Sequence, residues 1–448
     1  MTRASSTLYY DVTQLIHWPG KITGIPRVIE ELAIRFRREE SDIVFVAWVK
    51  ELGALCEIDY DKTQRGKHIE YLRGDATVNY EKIAEADKVA MRQEKTLPPS
   101  MLLKKGAIKI TKKGLGVVSK FRPGLAAQLE STAQLKRMQH YKRAQFQKGD
   151  RLFIGWGEWN DESFMSMLES AHAHGVRLVQ VQYDMSPAVV PQFSNSGNAT
   201  VTFPIYCRRI LPICDLVLSI SENTTKDAVK WLKDQKLHVP PIKFFRLGDD
   251  IEVANPTKVT DPAYTESGLK GNDFLLCVGT FELKKNHMLF YYVYKMALEK
   301  GIELPKLVMV GRRGWMTEAT YELMTKDPTV KDKFVFLHNA SDEELSWIFD
   351  RALFSVLPSF YEGWGVPIAE SIARGVPCLS SGTSSMSEVA PGFVEHFSPT
   401  SADECLAAIQ RYLQPKTLAA AREKVKKYKQ FSWDESFAQV LSHMKEIK

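Results

Sequence analysis

The sequence is poor in the features that mark secreted scaffolds, membrane spans and metal clamps. Its six cysteines (Cys56, Cys207, Cys214, Cys277, Cys378 and Cys405) are scattered, with no Cys-x-x-Cys pair. That argues against a disulfide framework and reads as buried thiols in a reducing compartment, with the cytoplasm as the expected location. The longest apolar runs, such as Leu275–Thr280, fall far short of the ~20 residues a membrane helix needs. The start, Met1–Tyr10, shows no apolar stretch followed by a small-residue cleavage site, so no secretory signal is expected. No repeat recurs at the periods of solenoids or propellers. None of the expected strands ends in an Asp-x-Asp pair that would hold a divalent cation between phosphates, so no metal and no cofactor are expected.

What remains is the balance of an ordinary globular protein: 448 residues, 44% hydrophobic and 25% charged, enough for two large domains or three small ones. The net charge of +6 is uneven. Residues 101–148 hold twelve Lys and Arg against the single acid Glu130, so this segment accounts for the whole basic excess. Its bases alternate with apolar residues, as in MLLKKGAIKITKKGLGVVSKF. Such a stretch suits an anionic leaflet, at about 1 kcal/mol per Lys or Arg near the surface. It equally suits a solvated insertion, and both readings stand. Nucleic acid is not an expected partner, since the segment has few aromatic rings to stack on bases.

Strand and helix patterns alternate along the chain. Strands are expected at Thr7–Val12, Ile43–Val49, Arg151–Ile154, Arg177–Gln182 and Leu216–Ile220. A loop is expected at Thr13–Thr23, with helices at Ile25–Arg38 and Phe164–His174. The strand at Arg151–Ile154 runs into a Gly/Trp turn, GWGEW. A polar, proline-containing linker at 253–271 precedes a second series, with strands Phe274–Val278, Lys306–Val310, Phe334–Phe336, Phe354–Leu357 and Cys378–Ser380. An amphipathic helix from Trp433 ends the chain. This order predicts two doubly wound α/β domains, residues 1–252 and 272–430, with a tail at 431–448 crossing back to the first. Ligands of open α/β sheets bind at the carboxyl ends of strands, so a cleft between two such edges is the expected site. Asp249–Asp250 reads as a turn, and His172 and His174 as ordinary helix-end residues.

The stretch PSFYEGWGVPIAESIARGVP (Pro358–Pro377) carries the most chemistry. It follows a buried strand. Gly363 and Gly365 let the backbone approach a ligand, and Pro367 suits a first helical turn. The unpaired N–H groups of that turn, from Val366 onward, suit hydroxyls or phosphate oxygens. Glu362 and Glu370 are placed to face one pocket at different depths, and a carboxylate accepts both hydroxyls of a ribose diol. Lys284 and Lys285 follow the strand Phe274–Val278 and would point into the cleft. Gly24 allows a helix start to approach a ligand there, with Arg27 one turn in, pairing with an anionic ligand or with Glu30 or Glu31.

These residues resemble those of the retaining, family-4 glycosyltransferases of GT-B fold. Glu362-x7-Glu370 resembles their paired-glutamate signature. VGTFELKKNH (Val278–His287), VGRRGW (Val310–Trp315), SDEEL (Ser341–Leu345) and SSMSEVA (Ser384–Ala390) resemble further family segments in order and spacing. TGIPRV (Thr23–Val28), VQYDMSP (Val181–Pro187) and SISENTTKD (Ser219–Asp227) do so less strictly.

The resemblance implies two Rossmann-like domains facing each other across a cleft. It implies retaining transfer of a sugar from a nucleotide-sugar donor to a glycan or lipid-linked acceptor in surface polysaccharide synthesis. GDP-mannose is the first donor suggested, through VGTFELKKN, with UDP- and dTDP-sugars open. Glu362, Lys284, Lys285 and Asp184 are the implied catalytic residues. Gly24, Arg27, Gly279, Gly311, Gly363, Trp364, Gly365, Val366 and Glu370 are the implied donor contacts, and Tyr183 a sugar contact. Two positions depart from the common pattern: Tyr183 stands where many relatives have His, and Thr280 where many have Arg. Rival readings are a GT-B epimerase or phosphorylase, and a non-catalytic membrane-docking subunit. The last would predict damage at Glu362, Glu370 or Lys285, and all three are present.

Overall fold

The structure is a computed structural model that describes residues 6–18, 24–60, 141–194, 197–250, 269 and 273–447. Most of the basic segment and nearly all of the 253–271 linker lie outside the described residues.

The first domain is built on strands that are apolar on both faces, the mark of a parallel sheet covered on each side by helices. Its strands are β1 (Leu8–Asp11), β2 (Ile43–Val49), β3 (Ala54–Glu57), β4 (Arg151–Ile154), β5 (Arg177–Gln182), β6 (Leu216–Ser219) and β7 (Ile242–Phe244). They lie in the order β3-β2-β1-β4-β5-β6-β7, parallel except for the antiparallel β2–β3 pair. Its helices are α1 (Thr13–His17), α2 (Ile25–Glu39), α3 (Glu162–Ala173), α4 (Ser186–Val189), α5 (Gly197–Ile210) and α6 (Glu222–Asp234). Helix α2 buries Val28, Ile29, Leu32, Ala33 and Phe36 on one face, the helical period of an amphipathic segment. The Asp161 carboxylate starts α3 by accepting the N–H groups of Ser163 and Phe164.

The second domain repeats the plan. Strands β8 (Phe274–Val278), β9 (Lys306–Val310), β10 (Phe334–Leu337), β11 (Ala352–Leu357), β12 (Cys378–Ser381) and β13 (Glu395–Phe397) form a parallel sheet in the order β10-β9-β8-β11-β12-β13. Helices α7 (Met288–Glu299), α8 (Glu318–Lys326), α9 (Asp342–Arg351), α10 (Val366–Ala373), α11 (Ala402–Leu413) and α12 (Pro415–Val425) surround it. A capping box between Ser341 and Glu344 begins α9. All six cysteines are free and buried.

The last helix, α13 (Trp433–Lys445), lies on α2 of the first domain. Phe437 meets Phe36 edge-on at 4.8 Å, and Arg35 pairs with Asp434 at 2.7 Å. Burying a ring such as Phe437 contributes about 2 kcal/mol.

Two sequence expectations are corrected here. The span Thr13–Thr23 begins with the helix α1, not a loop: residues 13–17 are helical. Asp249 and Asp250 are anchors for the returning chain more than turn residues. Asp249 is buried, and its carboxylate accepts the Phe431 N–H at 2.6 Å and Arg246 Nη2 at 2.8 Å. Asp250 Oδ1 accepts the Trp433 N–H at 2.9 Å. A buried carboxylate demands such donors, and the segment entering α13 supplies them.

The described end of the basic segment runs along β3. Ala144 N–H donates to Leu55 O at 2.9 Å, and Lys142 pairs with Glu57 at 2.7 Å. No helix among the described residues is long and apolar enough to cross a membrane.

Candidate active site

Both sheets send their strand carboxyl ends toward the same cleft, and the loops there carry the charged residues. Strand β8 leads through Gly279 into a short turn, Leu283–Lys285, that presents two adjacent ammonium groups. Gly279 and Gly311 stand at the ends of β8 and β9, where the two loops cross. A Cβ at Gly311 would lie 2.0 Å from the Gly279 carbonyl, so no larger residue fits.

Lys285 Nζ lies 2.6 Å from Glu362 Oε1. Lys284 Nζ reaches across the cleft to 3.8 Å from Asp184 Oδ2, after β5 of the first domain. The four residues named as catalytic from the sequence therefore stand together, drawn from both domains. Burial alone would lift the Glu362 carboxyl, but Lys285 and Lys284 outweigh it and hold it below its usual range. Burial would likewise lower the Lys284 ammonium, and Asp184, Glu362 and Glu282 more than compensate, leaving it above its usual value. Burial raises Glu282 against the pull of the same two lysines. Both ammonium groups thus sit largely shielded from solvent, in a cluster with carboxylates from both domains.

His287 lies behind this cluster, buried, its ring 4.2 Å from that of Phe281. Burial, with the Lys285 charge beside it, lowers its pKa to about 3, so the ring is neutral at pH 7. Among the described residues, no group of three or more His, Cys, Asp and Glu side chains could hold a metal ion.

The loop Pro358–Gly365 is held from several sides. Ser384 Oγ accepts the Glu362 N–H at 2.9 Å, and Ser385 Oγ donates to the carbonyls of Glu362 and Trp364. Gly365 precedes α10, and Val366 is its first residue. The Trp364 side chain packs away from the loop, so any donor contact at this residue is through its backbone. It is buried, 6.3 Å from the Phe244 ring of the first domain, in an apolar cluster that joins the two domains. Burial draws a large ring into that seam, and only its backbone remains at the loop.

Glu370 sits half-buried on α10. Burial raises its pKa, opposed by the charges of Arg374 and Arg27. Arg27 comes from the first turn of α2, just after Gly24, so α2 and α10 approach the same part of the cleft. Arg27 lies 4.0 Å from Glu31 and donates to Asp250 O at 3.5 Å. Tyr183 is buried, and its hydroxyl donates to Gly155 O at 2.8 Å. It therefore meets the cleft with its ring and its backbone more than as a donor to a sugar.

Sequence reasoning missed the contacts that join the domains. Glu388 accepts the N–H groups of Glu222 and Asn223 at the start of α6, both at 2.7 Å. Tyr361 donates to Asp227 at 2.6 Å. Phe193 stacks on Phe360 with centroids 4.9 Å apart. Glu388 lay inside a recognised segment, SSMSEVA, but nothing local named its partner.

A cavity of about 350 Å³ opens beside the cluster on the side of the first domain. Asp184 and Lys284 are among its lining residues, with the aromatic side chains Trp156, Trp159, Phe193, Phe203 and Trp315.

The paired Rossmann-like sheets and the cleft between them are the GT-B architecture. Residues 265–430 match the family model described as Glycosyl transferases group 1, so the second domain is a domain of that class. The serotype-specific mannosyltransferase WbdA of Escherichia coli is 24% identical over 256 residues, covering 56% of this chain and 31% of the relative. The O-antigen chain mannosyltransferase B of Escherichia coli is 30% identical over 188 residues, covering 41% of this chain and 49% of the relative. The chain thus spans less than half the length of these relatives. The sucrose-phosphate synthase structure from Thermosynechococcus elongatus superposes over 99% of both chains with a TM-score of 0.59 at 16% identity, which establishes the shared fold.

Proposed function

We propose that this protein is a retaining glycosyltransferase that moves a hexose, mannose first among candidates, from a nucleotide sugar to a glycan or lipid-linked acceptor in surface polysaccharide synthesis. The observation that carries the reading is the cluster of Lys284, Lys285, Glu362 and Asp184, assembled from two domains at strand carboxyl ends. The group 1 match of the second domain and the mannosyltransferase names of the relatives support it.

In this reading the acceptor hydroxyl oxygen forms a bond to the anomeric carbon. The bond from that carbon to the donor's phosphate oxygen breaks on the same face, and the hydroxyl proton passes to the departing nucleoside diphosphate. Charge grows on the diphosphate, and Lys284 and Lys285 stand ready to meet it without reorganisation. Glu362 and the backbone from Gly363 to Val366 hold the sugar, and Glu370 holds the ribose. The start of α2 at Gly24 adds neutral donors. No metal and no cofactor enter this scheme. Domain closure excludes water and limits donor hydrolysis.

The test is incubation with a panel of nucleotide sugars, GDP-mannose, UDP-sugars and dTDP-sugars among them, scoring released nucleoside diphosphate with saccharide acceptors. GDP-mannose turnover supports the reading. Silence with every donor sinks it and leaves a docking subunit. We further propose that segment 101–148 holds the protein at the inner face of the membrane. Binding to anionic vesicles should then weaken as salt rises, and absent or salt-independent binding refutes that part.

A further inference from the structure

The turn that carries Lys284 and Lys285 ends at Asn286, a residue with no part in the charged cluster. Its backbone is left-handed, with φ at 57°, and its N–H closes the turn by donating to Leu283 O at 3.0 Å. Asparagine adopts that conformation more readily than most residues with a Cβ. The left-handed step separates the lysine turn from α7, which begins two residues later. The Asn286 side chain is buried. Its Nδ2 donates to Pro358 O at 3.0 Å and to Pro399 O at 2.8 Å. Pro358 lies just past β11 and opens the loop of Glu362, and Pro399 lies just past β13. One amide group, with two hydrogens on a single nitrogen, therefore joins the loops that follow β8, β11 and β13. A backbone bond from the Phe360 N–H to Lys284 O at 2.9 Å ties the first two loops a second time.

We propose that Asn286 is a positioning residue: it holds the lysine turn against the Glu362 loop and so fixes where the Lys285 ammonium meets a donor diphosphate. The inference rests on the glycosyl-transfer reading and adds to it a residue that acts through its neighbours. A lysine side chain is long and flexible, so its ammonium is only as well placed as the backbone that carries it. Lys285 directly precedes Asn286, and its ammonium lies 2.6 Å from Glu362 Oε1. The two ends of that ion pair come from the two loops that Asn286 joins. Few residues meet both demands of the position. Glycine accepts the backbone conformation but has no donor. Aspartate has the right shape but, when ionised, accepts where two carbonyls already face it.

The experiment compares Asn286→Gly and Asn286→Asp with the wild type in the full chain. Calorimetry measures the binding of GDP, UDP and dTDP, and of guanosine, uridine and thymidine. For the diphosphate that the wild type binds best, each variant should weaken affinity about tenfold, as misplacement of a preorganised charge does, and leave the matching nucleoside unchanged. In a Lys285→Met background, Asn286→Gly should cost no further diphosphate affinity, because its effect passes through that ammonium. Wild-type diphosphate affinity in both variants overturns the proposal. So does an equal loss for nucleoside and diphosphate, which marks a general loosening of the domain, or the full loss repeated in the Lys285→Met background. Asn286→Asp carries the comparison if Asn286→Gly does not fold. If the wild type binds no nucleoside diphosphate, the glycosyl-transfer reading fails on its own, and hydrogen exchange decides the role of Asn286. The Phe360 N–H should then exchange about tenfold faster in Asn286→Gly, as local opening predicts, with the amides of β8 and β11 unchanged. Unchanged exchange at Phe360 overturns the proposal.

Discussion

Gly363 of the second domain faces the Tyr183 carbonyl of the first so closely that a Cβ would stand 2.2 Å from that oxygen and 3.1 Å from Asp184 Cβ. A single methyl group at this point must therefore push the two domains apart or displace the loop that holds Glu362. Gly363→Ala should lower kcat about 100-fold, the scale expected for an ångström of misplacement at a reacting centre. Each domain keeps its own core, so far-UV circular dichroism should be unchanged. Near-wild-type rates would show that the closed arrangement is not the reactive one.

Lys285 and Glu362 form a buried ion pair at 2.6 Å. Lys285→Met leaves the Glu362 carboxylate buried without that partner, which costs about 3–5 kcal/mol of stability in comparable pairs. Glu362→Gln in the same chain should recover much of it, because the uncompensated charge is gone. Chemical denaturation of the two single variants and the double variant measures the coupling. Additive losses would mean that the pair does not hold the loop.

Glu388 caps the start of α6 from the opposite domain. Glu388→Ala removes the acceptor of two N–H groups, worth about 1 kcal/mol on the scale of helix caps. Closure weakens, so donor hydrolysis should rise several-fold relative to transfer, read as free sugar against glycoside product. An unchanged ratio would confine Glu388 to a structural role.

Asp11 is buried at the end of β1, with Oδ1 accepting the Thr13 N–H at 2.9 Å and Oδ2 without a partner. Burial raises its pKa from 3.8 to about 7. The folded state therefore binds this proton more tightly than the unfolded chain does. The contribution is favourable in acid, erodes as pH climbs from about 4 to about 7, and leaves a penalty on the order of 4 kcal/mol above that range. Asp11→Asn should raise the melting temperature at pH 8 and change it little at pH 4. Equal shifts at both pH values would remove Asp11 as the cause.

Much of the sheet framework is legible from apolar runs. Ile43–Val49, Arg177–Gln182 and Lys306–Val310 are strands over the very residues their composition marks. The three strands missed, Ala54–Glu57, Ile242–Phe244 and Glu395–Phe397, lie at sheet edges. Edge strands are short and partly exposed, so they lack a continuous apolar signature. Within the site, the lysine pair and Glu362 are legible because each sits in a loop just past a buried strand, and Glu370 because it lies on the helix that this second loop opens into.

The pairings across the cleft are not legible along the chain. Asp184 lies a hundred residues before Lys284, and Glu388 lies 166 residues from Glu222. Nor does the GWGEW turn reveal that Phe203 of α5 and Trp315 of the other domain line the same cavity. Hydrophobic period, cap residues and glycine turns act between neighbours in the chain, so strands, helices and the loops at their ends can be read along it. Which loops meet across the cleft depends on how two finished domains pack, and on donors and acceptors that find each other once water has been excluded. That information resides in the folded molecule, where burial makes each unmet charge costly and so selects one pairing among many.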